Sequence, residues 1–361
     1  MKIQKLLIAT FLPIFFFIIL GMLVFYYPQI GKIGNTFHRI QFSDPEFSKG
    51  ATSAFEIYEF QGKAYALYSS PDKRKPFIIS INDDKKIDLT GVVEGEQIYG
   101  AFNDKDNSLT IVTSLNENGI LRGAIYRTLD MIHFDRVHIS EGFGYRSVIN
   151  YKGNFVAGTD ASDGRIYVSA NGINWHEVRP PTDTMPIECN KLVVFKGGLY
   201  FASNSGLIVT HDLKSFNRVF LPTQKGFQVN ATLATEKTIF VGVGGPSLGK
   251  DTSGWIFSSE DGLNFKQNVT MKGIVFLSSI FATNYKDEEI WVTGNGGTIF
   301  KLDVRNGRYS PLYETPEEYF YTSKKIGSSI YFGTRSGNLY RYGPHALHSN
   351  DHYFSKKRSN V

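Results

Sequence analysis

Alternating hydrophobic and polar positions recur along this chain in short segments separated by turn residues. In the stretch Gly164–Val178, the apolar residues Ile166 and Val168 occupy every second position, which is the period of a β-strand. Asn171 and Gly172 follow, and both residue types tolerate the positive φ angles of a tight hairpin turn. The pattern predicts two antiparallel strands joined by a short turn.

Variants of this unit recur at spacings of 40 to 48 residues. In most copies the strand opens with glycine, a variable residue, an aliphatic residue and an aromatic one, and a second apolar strand lies upstream. A near-constant period filled only with strand signals is typical of radially arranged repeats. Seven upstream strands, with about four strand-length segments per unit, predict an all-β, seven-bladed β-propeller. The glycine-led strands begin at Gly123, Gly164, Gly206, Gly254, Gly297 and Gly337.

The last unit is one strand short, because Gly343-Pro344 ends its pattern after three strand-like segments. Near the other end of the chain, residues 36–42 alternate like a strand. We expect this early strand to complete the last blade and close the ring, since an open ring leaves an unpaired sheet edge. A stray strand packed on the surface is the alternative. The propeller is predicted to span residues 37–344.

An uncharged apolar run, residues 6–27, lies near the start of the chain. Its 22 residues are enough for a helix to cross a hydrocarbon layer of about 30 Å. The run exceeds a signal-peptide core, and no small-residue cleavage site follows it. We therefore predict a single-pass signal anchor in residues 1–27, with a cleaved signal peptide and a buried helix as alternatives. Residues 28–36 would form a linker, and the polar residues 345–361 a flexible tail.

The predicted orientation places the N-terminus in the cytoplasm and the propeller outside it, in a periplasmic, extracellular or lumenal space. The charges that flank residues 6–27 do not decide this orientation. The argument is that a long C-terminal domain behind a very short N-terminal segment is normally the part that is translocated.

Composition refines this picture without changing the fold. The 29 Phe and 20 Tyr residues suit packing between β-sheets. The net charge of +5 is scattered through the repeats, so no nucleic-acid partner is expected. Cys189 is the only cysteine, which excludes an intramolecular disulfide. Gly244–Lys250 approaches a phosphate-binding loop, but Asp251 replaces the hydroxyl residue and a strand follows, so no nucleotide cofactor is expected. The oxygen-rich residues 103–108 fit a turn, and His345, His348 and His352 fit a solvated tail, so no metal is expected either.

Four turns after the glycine-led strands share more than hairpin chemistry. Each has Ser or Thr, then Asp or Asn two residues later, and an aromatic residue at its end. This resembles the Asp-box of sialidase-like (BNR-repeat) propellers. The resemblance implies a structural role, in which the polar side chains bond the turn backbone and the aromatic residue packs into the sheet. The matching residues are Thr128, Asp130 and Phe134; Ser169, Asn171, Gly172 and Trp175; Thr210, Asp212 and Phe216; and Ser259, Asp261, Gly262 and Phe265.

The resemblance does not extend to a sialidase active site. Such enzymes use three arginines, a Tyr/Glu pair and an acidic Asp, and no matching set is present. The segment Phe37–Gln41 is similar to their early arginine motif only superficially, since it has an inserted His and lacks the Pro. Seven units also differ from the six blades of sialidases.

Strand order divides the loops between two faces of the predicted ring. The Asp-box-like turns and the short first-to-second hairpins lie on one face, here called the Asp-box face. The second-to-third and blade-to-blade loops lie on the other face, the long-loop rim, where propellers usually carry function. The long loops span 69–75, 114–122, 140–146, 179–188 and 243–253.

Without a recognisable catalytic set, the sequence favours a non-catalytic binding or assembly module at a membrane. Its partner would be a protein of the cell envelope or secretory pathway, or a glycan. The alternative is a carbohydrate-active enzyme, a hydrolase or lyase, that uses a pair of rim carboxylates drawn from Asp160, Asp163, Asp183 and Glu188. The rim residues proposed for binding are Tyr145, Arg146, Asp160, Arg179, Lys250 and Arg335.

Overall fold

The structure is a computed structural model of the 361-residue chain. It describes residues 36–343 except 43–52, 70–75, 90–96, 105–106, 118, 162, 182–188, 204–205, 223–226, 245–252, 273, 275–276 and 285–288. The predicted anchor (1–27), nearly all of the linker, the tail (345–361) and Lys250 lie outside the described residues. Within the described residues, no helix has the length and hydrophobicity to cross a membrane.

Two compact units are distinguished by Cα distances. The main unit is His38–Arg341, and the second consists of the two chain ends, Met1–Phe37 and Tyr342–Val361. In the described part of the second unit, the rings of Phe37 and Tyr342 lie 4.7 Å apart.

The described residues form 28 strands in seven four-stranded sheets. The chain begins with β1 (Thr36–Ile40). The first three sheets are β2 (Ser53–Phe60), β3 (Lys63–Ser69), β4 (Phe77–Ser80) and β5 (Lys85–Asp88); β6 (Gln97–Asn103), β7 (Leu109–Glu117), β8 (Ile120–Thr128) and β9 (Asp135–Glu141); and β10 (Tyr145–Tyr151), β11 (Asn154–Thr159), β12 (Ile166–Ser169) and β13 (His176–Val178).

The next three sheets are β14 (Cys189–Phe195), β15 (Gly198–Ser203), β16 (Gly206–Thr210) and β17 (Phe216–Phe220); β18 (Gln228–Ala234), β19 (Ile239–Gly244), β20 (Ser253–Ser259) and β21 (Lys266–Lys272); and β22 (Leu277–Asn284), β23 (Glu289–Gly294), β24 (Thr298–Asp303) and β25 (Arg308–Glu314). The seventh combines β26 (Phe320–Ile326), β27 (Ser329–Thr334) and β28 (Leu339–Gly343) with β1, in the order β1–β28–β27–β26.

The first strands of the seven sheets form a closed circle. Each of them contacts the first strands of both neighbouring sheets, and β2 completes the circle by touching both β6 and β26. Each sheet is therefore one blade, numbered 1 to 7 in chain order from β2–β5, and the seven inner strands surround a central channel. The chain is an all-β, seven-bladed β-propeller, as the repeat period predicts.

The hydrophobic core lies between the blades. Each cluster of buried side chains draws on two successive blades, such as Leu67 of blade 1 with Ile111 of blade 2, or Ile256 of blade 5 with Ile290 of blade 6. Second strands such as Gly198–Ser203 and Ile239–Gly244 are buried at every position, because neighbouring blades cover both of their faces. This burial explains why these strands are continuous apolar runs.

Glycines in the second strands let adjacent blades approach closely. A Cβ on Gly333 of β27 would lie 2.8 Å from the Cβ of Ala54 in β2, across the contact between blades 7 and 1. A Cβ on Gly158 of β11 would likewise lie 2.8 Å from the Cβ of Cys189 in β14. Separations this short do not occur between real Cβ atoms and their neighbours, so only glycine fits without a shift in one of the blades.

One expected rim loop is largely strand. Residues 114–122 are predicted as a long loop, but β7 continues to Glu117 and β8 begins at Ile120. The pairing Leu115–Arg122 and Glu117–Ile120 extends the hairpin to a turn at Gly119, whose φ is +83°. The prediction was wrong here because the polar side chains of this segment suit an exposed hairpin as well as a loop.

The contacts of β1 lie along the outer side of blade 7. The Arg39 guanidinium donates a hydrogen bond to Oδ1 of Asn338, immediately before β28. Ile40 and Phe42 pack against the cluster between blades 7 and 1 that includes Leu339.

We expect Gly333→Ala to lower the free energy of unfolding by about 1–3 kcal/mol, the usual cost of overpacking. The added methyl group would meet both the Cβ and, at 2.9 Å, the backbone oxygen of Ala54, which cannot rotate away. Gly242→Ala, in the second strand of blade 5, is the matched control, because its nearest neighbour is a terminal methyl of Ile280 at 3.0 Å. Denaturant unfolding of both full-length variants would measure the difference, and equal losses would contradict this account of the glycine.

Candidate functional site

A repeated irregularity marks the rim end of the inner strands. In every blade, one residue near the start of the first strand is skipped in the pairing with the second strand, which is the register shift of a β-bulge. Bulges re-aim a side chain and are frequent beside functional sites. There is one skipped residue in each first strand: Phe55, Tyr99, Arg146, Asn190, Asn230, Ser278 and Tyr321.

Four of these bulged residues touch one another along one side of the ring. The Phe55 ring lies 5.0 Å from Tyr321 on one side and 5.6 Å from Tyr99 on the other. The Arg146 guanidinium carbon lies 4.1 Å from the centre of the Tyr99 ring, within the range of a cation–π contact. Tyr319 extends the row, 4.8 Å from Tyr321. These four rings, half-buried or better, are called the aromatic arc, and Arg146 caps one of its ends.

The other side of the mouth is polar where the structure describes it. Asn230 is buried, and its amide nitrogen has no hydrogen-bond partner. The Ser278 hydroxyl donates a hydrogen bond to the backbone oxygen of Phe320. The channel mouth therefore has an aromatic side, formed by blades 7, 1 and 2, whereas the bulged residues of blades 5 and 6 are polar and buried.

Asp160 holds Arg146 in place. Its side chain is only 4% exposed and lies 3.5 Å from Nη2 of Arg146. The same carboxylate accepts hydrogen bonds from the Gly144 N–H at 2.5 Å and the Ser114 hydroxyl at 3.4 Å. A buried carboxylate requires such partners. Asp160 thus orients the guanidinium against Tyr99 and does not itself face solvent.

An ion pair crosses the channel one residue deeper than the arc. Glu56 follows Phe55 in blade 1, and its Oε2 lies 3.6 Å from Nζ of Lys191 in blade 4. These blades are not neighbours, so the two side chains meet across the central space. The pair forms a floor beneath the aromatic arc, and a ligand at the arc would enter from the long-loop rim.

Arg335 lies at the opposite end of the arc from Arg146. Its side chain is exposed, and its backbone N–H donates to the Tyr319 oxygen at 2.8 Å. Burial raises the pKa of Tyr319, and the positive charge of Arg335 acts in the opposite direction, as expected for a guanidinium near the phenol. The aromatic arc is therefore flanked by arginines at both ends.

The remaining predicted rim residues do not join this site. Tyr145 is fully buried between blades against Phe143, so it is not presented to a partner, and burial raises its pKa well above the usual value. The reason is that the bulge turns Arg146 toward the channel, while Tyr145 keeps the position that faces the core between the blades. Arg179 is exposed beside the outermost strand of blade 3 and pairs with Glu177. Lys250 lies outside the described residues.

The carboxylates considered for catalysis are engaged elsewhere or lie outside the described part of the chain. Asp163 is bound by Arg165, and that hydrogen bond holds the pKa of Asp163 below its usual value. Asp160 is buried beside Arg146, and Asp183 and Glu188 are not among the described residues. Among the described residues, no group of three His, Cys, Asp or Glu side chains is arranged to hold a metal ion.

Sequence reasoning missed the aromatic residues of the site. Phe55, Tyr99 and Tyr321 hold the bulged position in their own blades that Arg146 holds in blade 3. This equivalence could have been detected from the sequence. Aligning the seven first strands on their second-strand partners would have superposed all bulged positions. The first strands carry no glycine-led motif, however, and a bulge shifts the alternation on which strand alignment depends.

The Asp-box-like turns share one hydrogen-bond pattern. Oδ1 of Asn171 accepts the N–H groups of Ile173 and Asn174, both at 2.9 Å, and the Ser169 hydroxyl at 3.1 Å. The carboxylates of Asp130, Asp212 and Asp261 accept the corresponding N–H groups at 2.7–2.8 Å. The terminal aromatic residues, Phe134, Trp175, Phe216 and Phe265, pack into the clusters between blades.

These turns also connect successive blades. In blades 2, 4 and 5, the carbonyl of the second turn residue accepts a side-chain hydrogen bond from the first hairpin of the preceding blade. The donors are Gln61 to Leu129 at 3.0 Å, Lys152 to His211 at 2.9 Å and Lys196 to Glu260 at 2.6 Å. In blade 3, Arg127 donates to the Asn171 oxygen at 2.9 Å instead. The turns thus form hydrogen-bonded links between successive blades.

Solved structures with the same architecture are known, although no protein-family model and no curated protein matches the chain. A catalytically inactive virginiamycin B lyase from Staphylococcus aureus, in complex with quinupristin, is 11% identical over 85% of this chain and 99% of the lyase chain, with a TM-score of 0.63. YCF48 bound to D1 peptide is 14% identical over 86% and 98%, with a TM-score of 0.59. What they share with this chain is the propeller fold.

A third similar structure is the WD40 propeller domain of Doa1, which is 10% identical over 86% of this chain and 97% of its own, with a TM-score of 0.60. Similarity at these identities establishes the fold and not the activity.

We expect Gly262→Ala to destabilise the protein more than Gly62→Ala. Both glycines have positive φ, +78° and +74°, so each substitution costs about 1–2 kcal/mol in backbone conformation. A Cβ at Gly262 would also lie 2.0 Å from the Tyr200 hydroxyl, whereas a Cβ at Gly62 meets nothing within 4 Å. The clash should add about 1–3 kcal/mol. Adding Tyr200→Phe to Gly262→Ala should recover part of this loss in thermal unfolding. A loss unchanged by Tyr200→Phe would show that the hydroxyl is not the obstacle.

Acid should weaken the turns that contain Asp and spare the turn that contains Asn171. Backbone N–H groups lower the pKa of Asp212 to about 2, and the pKa values of Asp130 and Asp261 are lowered as well. Because the folded pKa values lie below the unfolded value of about 3.9, the stabilisation is present above that pH and is lost as the pH falls toward about 2.

The matched variant replaces all three aspartates by asparagine, which keeps the acceptor oxygen and removes the titration. Its melting temperature should fall less than that of the wild type between pH 5 and pH 2, although it starts lower at pH 7 because neutral hydrogen bonds are weaker. An equal fall in melting temperature for the variant and the wild type across this pH range would contradict the proposed role of the three aspartates.

Proposed function

We propose that this protein is a membrane-anchored, non-catalytic binding module whose propeller, outside the cytoplasm, holds a segment of a protein partner at the channel mouth. The observation that carries the proposal is the aromatic arc with an arginine at each end. Aromatic residues and arginine are the side chains most enriched where protein interfaces derive their affinity. They offer large apolar area and directional hydrogen bonds at a low cost in conformational entropy.

The chemistry of the arc favours an extended segment that carries carboxylates beside apolar side chains. Arg146 and Arg335 can pair with acidic groups, and a guanidinium binds a carboxylate through two parallel hydrogen bonds. The rings between them suit proline, aromatic or aliphatic side chains. The ion pair between Glu56 and Lys191 limits how deeply such a segment enters, so binding would take place at the mouth of the channel.

The similar structures support this proposal without establishing it. YCF48 was solved with D1 peptide bound, so a propeller of the same fold accepts a peptide. For the alternative enzyme, the described rim carboxylates offer no support, because Asp160 and Asp163 are each committed to an arginine. A glycan remains an outcome that the experiment below distinguishes.

The anchor and the closing strand belong to the same proposal. Residues 6–27 would span the membrane once, and the linker would lead directly into β1. The place of β1 beside β28 supports a ring in which the start of the chain supplies the last strand of blade 7. Such closure leaves no free edge on β28 and places the propeller within a short distance of the bilayer.

The test is recovery of partners from native membranes by the tagged full-length protein. We expect the pair Arg146→Ala and Arg335→Ala to reduce recovery of the specific partner by about tenfold or more, since truncating a hot-spot arginine costs about 2 kcal/mol. Tyr321→Ala should act in the same direction. Arg179→Ala is the control, because that arginine is exposed on the same rim but lies away from the arc.

Equal melting temperatures for the variants would exclude unfolding as the cause of lost binding. Full recovery of the partner by the double arginine variant would overturn the proposal. Recovery that is abolished by deglycosylating the partner would assign the site to a glycan instead of a peptide.

A further inference from the structure

A buried carboxylate lies behind one end of the aromatic arc. Glu318, in the connection between β25 and β26, is only 8% exposed and immediately precedes Tyr319 of the arc. It accepts hydrogen bonds from the Ser336 hydroxyl, the Asn338 amide and, at 3.3 Å, the Tyr340 hydroxyl. Burial of a carboxylate is costly, and charge-assisted hydrogen bonds such as these offset that cost. The carboxylate and its three neutral donors are therefore held firmly together.

These hydrogen bonds connect the two segments that carry this end of the arc. Ser336 and Asn338 belong to the turn between β27 and β28, which begins with Arg335. The two segments are also joined through the backbone, where the Arg335 N–H donates to the Tyr319 oxygen at 2.8 Å. Glu318 and this backbone bond therefore fix the backbone of Arg335 relative to Tyr319.

Each of the two segments is also anchored to a further blade. The Glu318 N–H donates to the Thr315 oxygen, and the Thr315 N–H donates to the Gly297 oxygen of blade 6, both at 2.9 Å. The turn of blade 7 accepts a hydrogen bond from blade 1, in which the Tyr68 hydroxyl donates to the Gly337 oxygen at 3.1 Å. The backbone that presents this end of the arc is therefore held by blades 6, 7 and 1.

Arg39 of β1 orients the amide of Asn338. Its guanidinium donates to Oδ1 of Asn338, while Nδ2 of the same amide donates to Glu318. The two hydrogen bonds use opposite ends of one amide, so each favours the orientation that the other needs. A guanidinium and a buried carboxylate are thereby linked through one neutral side chain.

Asp160 has a corresponding place at the other end of the arc. It is a buried carboxylate that orients Arg146 directly, whereas Glu318 acts on Arg335 through the turn backbone. From this correspondence we infer that Glu318 is a positioning residue of the binding site, which holds Arg335 and Tyr319 where a bound segment meets them. The inference rests on the proposed function, and it adds that the arginine at each end of the arc is placed by its own buried carboxylate.

The test compares variants of the full-length protein. Glu318→Gln keeps the size of the side chain but directs an amide nitrogen at groups that are themselves donors, so hydrogen bonds to the turn are lost. The double variant Glu318→Gln with Asn338→Asp exchanges the amide and the carboxylate. A hydrogen bond of the opposite direction can then form, and Arg39 can pair with the new carboxylate. Glu317→Gln is the control, because Glu317 is the exposed neighbour of Glu318.

Hydrogen exchange, followed by mass spectrometry, reports on the turn without any ligand. The backbone N–H groups of Arg335, Gly337 and Asn338 are all hydrogen-bonded in the wild type. In Glu318→Gln they should exchange about tenfold faster or more, since losing a buried hydrogen bond makes local opening easier. The double variant should restore slow exchange, and Glu317→Gln should match the wild type. Unchanged exchange in Glu318→Gln would overturn the inference.

Binding is measured with a fluorescent peptide of about ten residues that alternates glutamate and proline, an extended sequence with carboxylates beside apolar side chains. The Kd should rise by about tenfold or more in Glu318→Gln and recover in the double variant. If Arg335→Ala weakens binding while Glu318→Gln does not, the inference is wrong. A double variant that regains the wild-type melting temperature but not the peptide affinity would also overturn it, because Glu318 would then act on stability alone.

Failure of the proposed function gives a different result. Wild-type protein that does not bind the peptide, or binding that Arg146→Ala and Arg335→Ala leave unchanged, counts against the proposed site. Hydrogen exchange then decides about Glu318 by itself. Faster exchange in Glu318→Gln would still support its positioning of Arg335 and Tyr319, and unchanged exchange would overturn it.

Discussion

The structure depends on burying the second strand of every blade on both faces. A strand such as Ile239–Gly244 has no polar face to expose, so it needs a sheet on each side. Only a closed circle provides two neighbours for every blade, and the contacts of β2 with β6 and β26 complete that circle. Two features follow from this requirement. Gly333 allows two blades to approach closely, and the hydrogen bonds to the turn carbonyls at the Asp-box face stabilise the contact between successive blades.

The same closed packing gives the channel mouth its precision. Seven inner strands held at fixed spacing bring one bulged residue from each blade to the same level. Phe55, Tyr99 and Tyr321 can then stack across blade boundaries, although 44 or more residues separate them along the chain. Arg146 is fixed in turn by the buried carboxylate of Asp160. The site is therefore a property of the ring and not of any one blade.

The two faces of the ring differ for a local reason. The Asp-box-like turns are short, and their own side chains satisfy the turn backbone, as Asn171 and Asp261 do. The opposite rim carries longer connections, and the bulges lie at its inner edge. This division places the turn hydrogen bonds on one face and the aromatic arc on the other.

The repeat period, the strand types and the turns at Asn171-Gly172 and Asp261-Gly262 were all readable from the sequence. Each depends on residues close together in the chain, whose preferences act before the ring forms. Of the candidate site, the sequence pattern indicates Arg146, Asp160 and Arg335, but it also indicates Tyr145, which is buried, and it does not indicate the aromatic arc. Tertiary structure decided those points, because exposure at the channel mouth depends on where a bulge turns the backbone and on which blades meet. The alternation of apolar and polar residues in a single strand determines neither the direction of a bulge nor which blades come into contact.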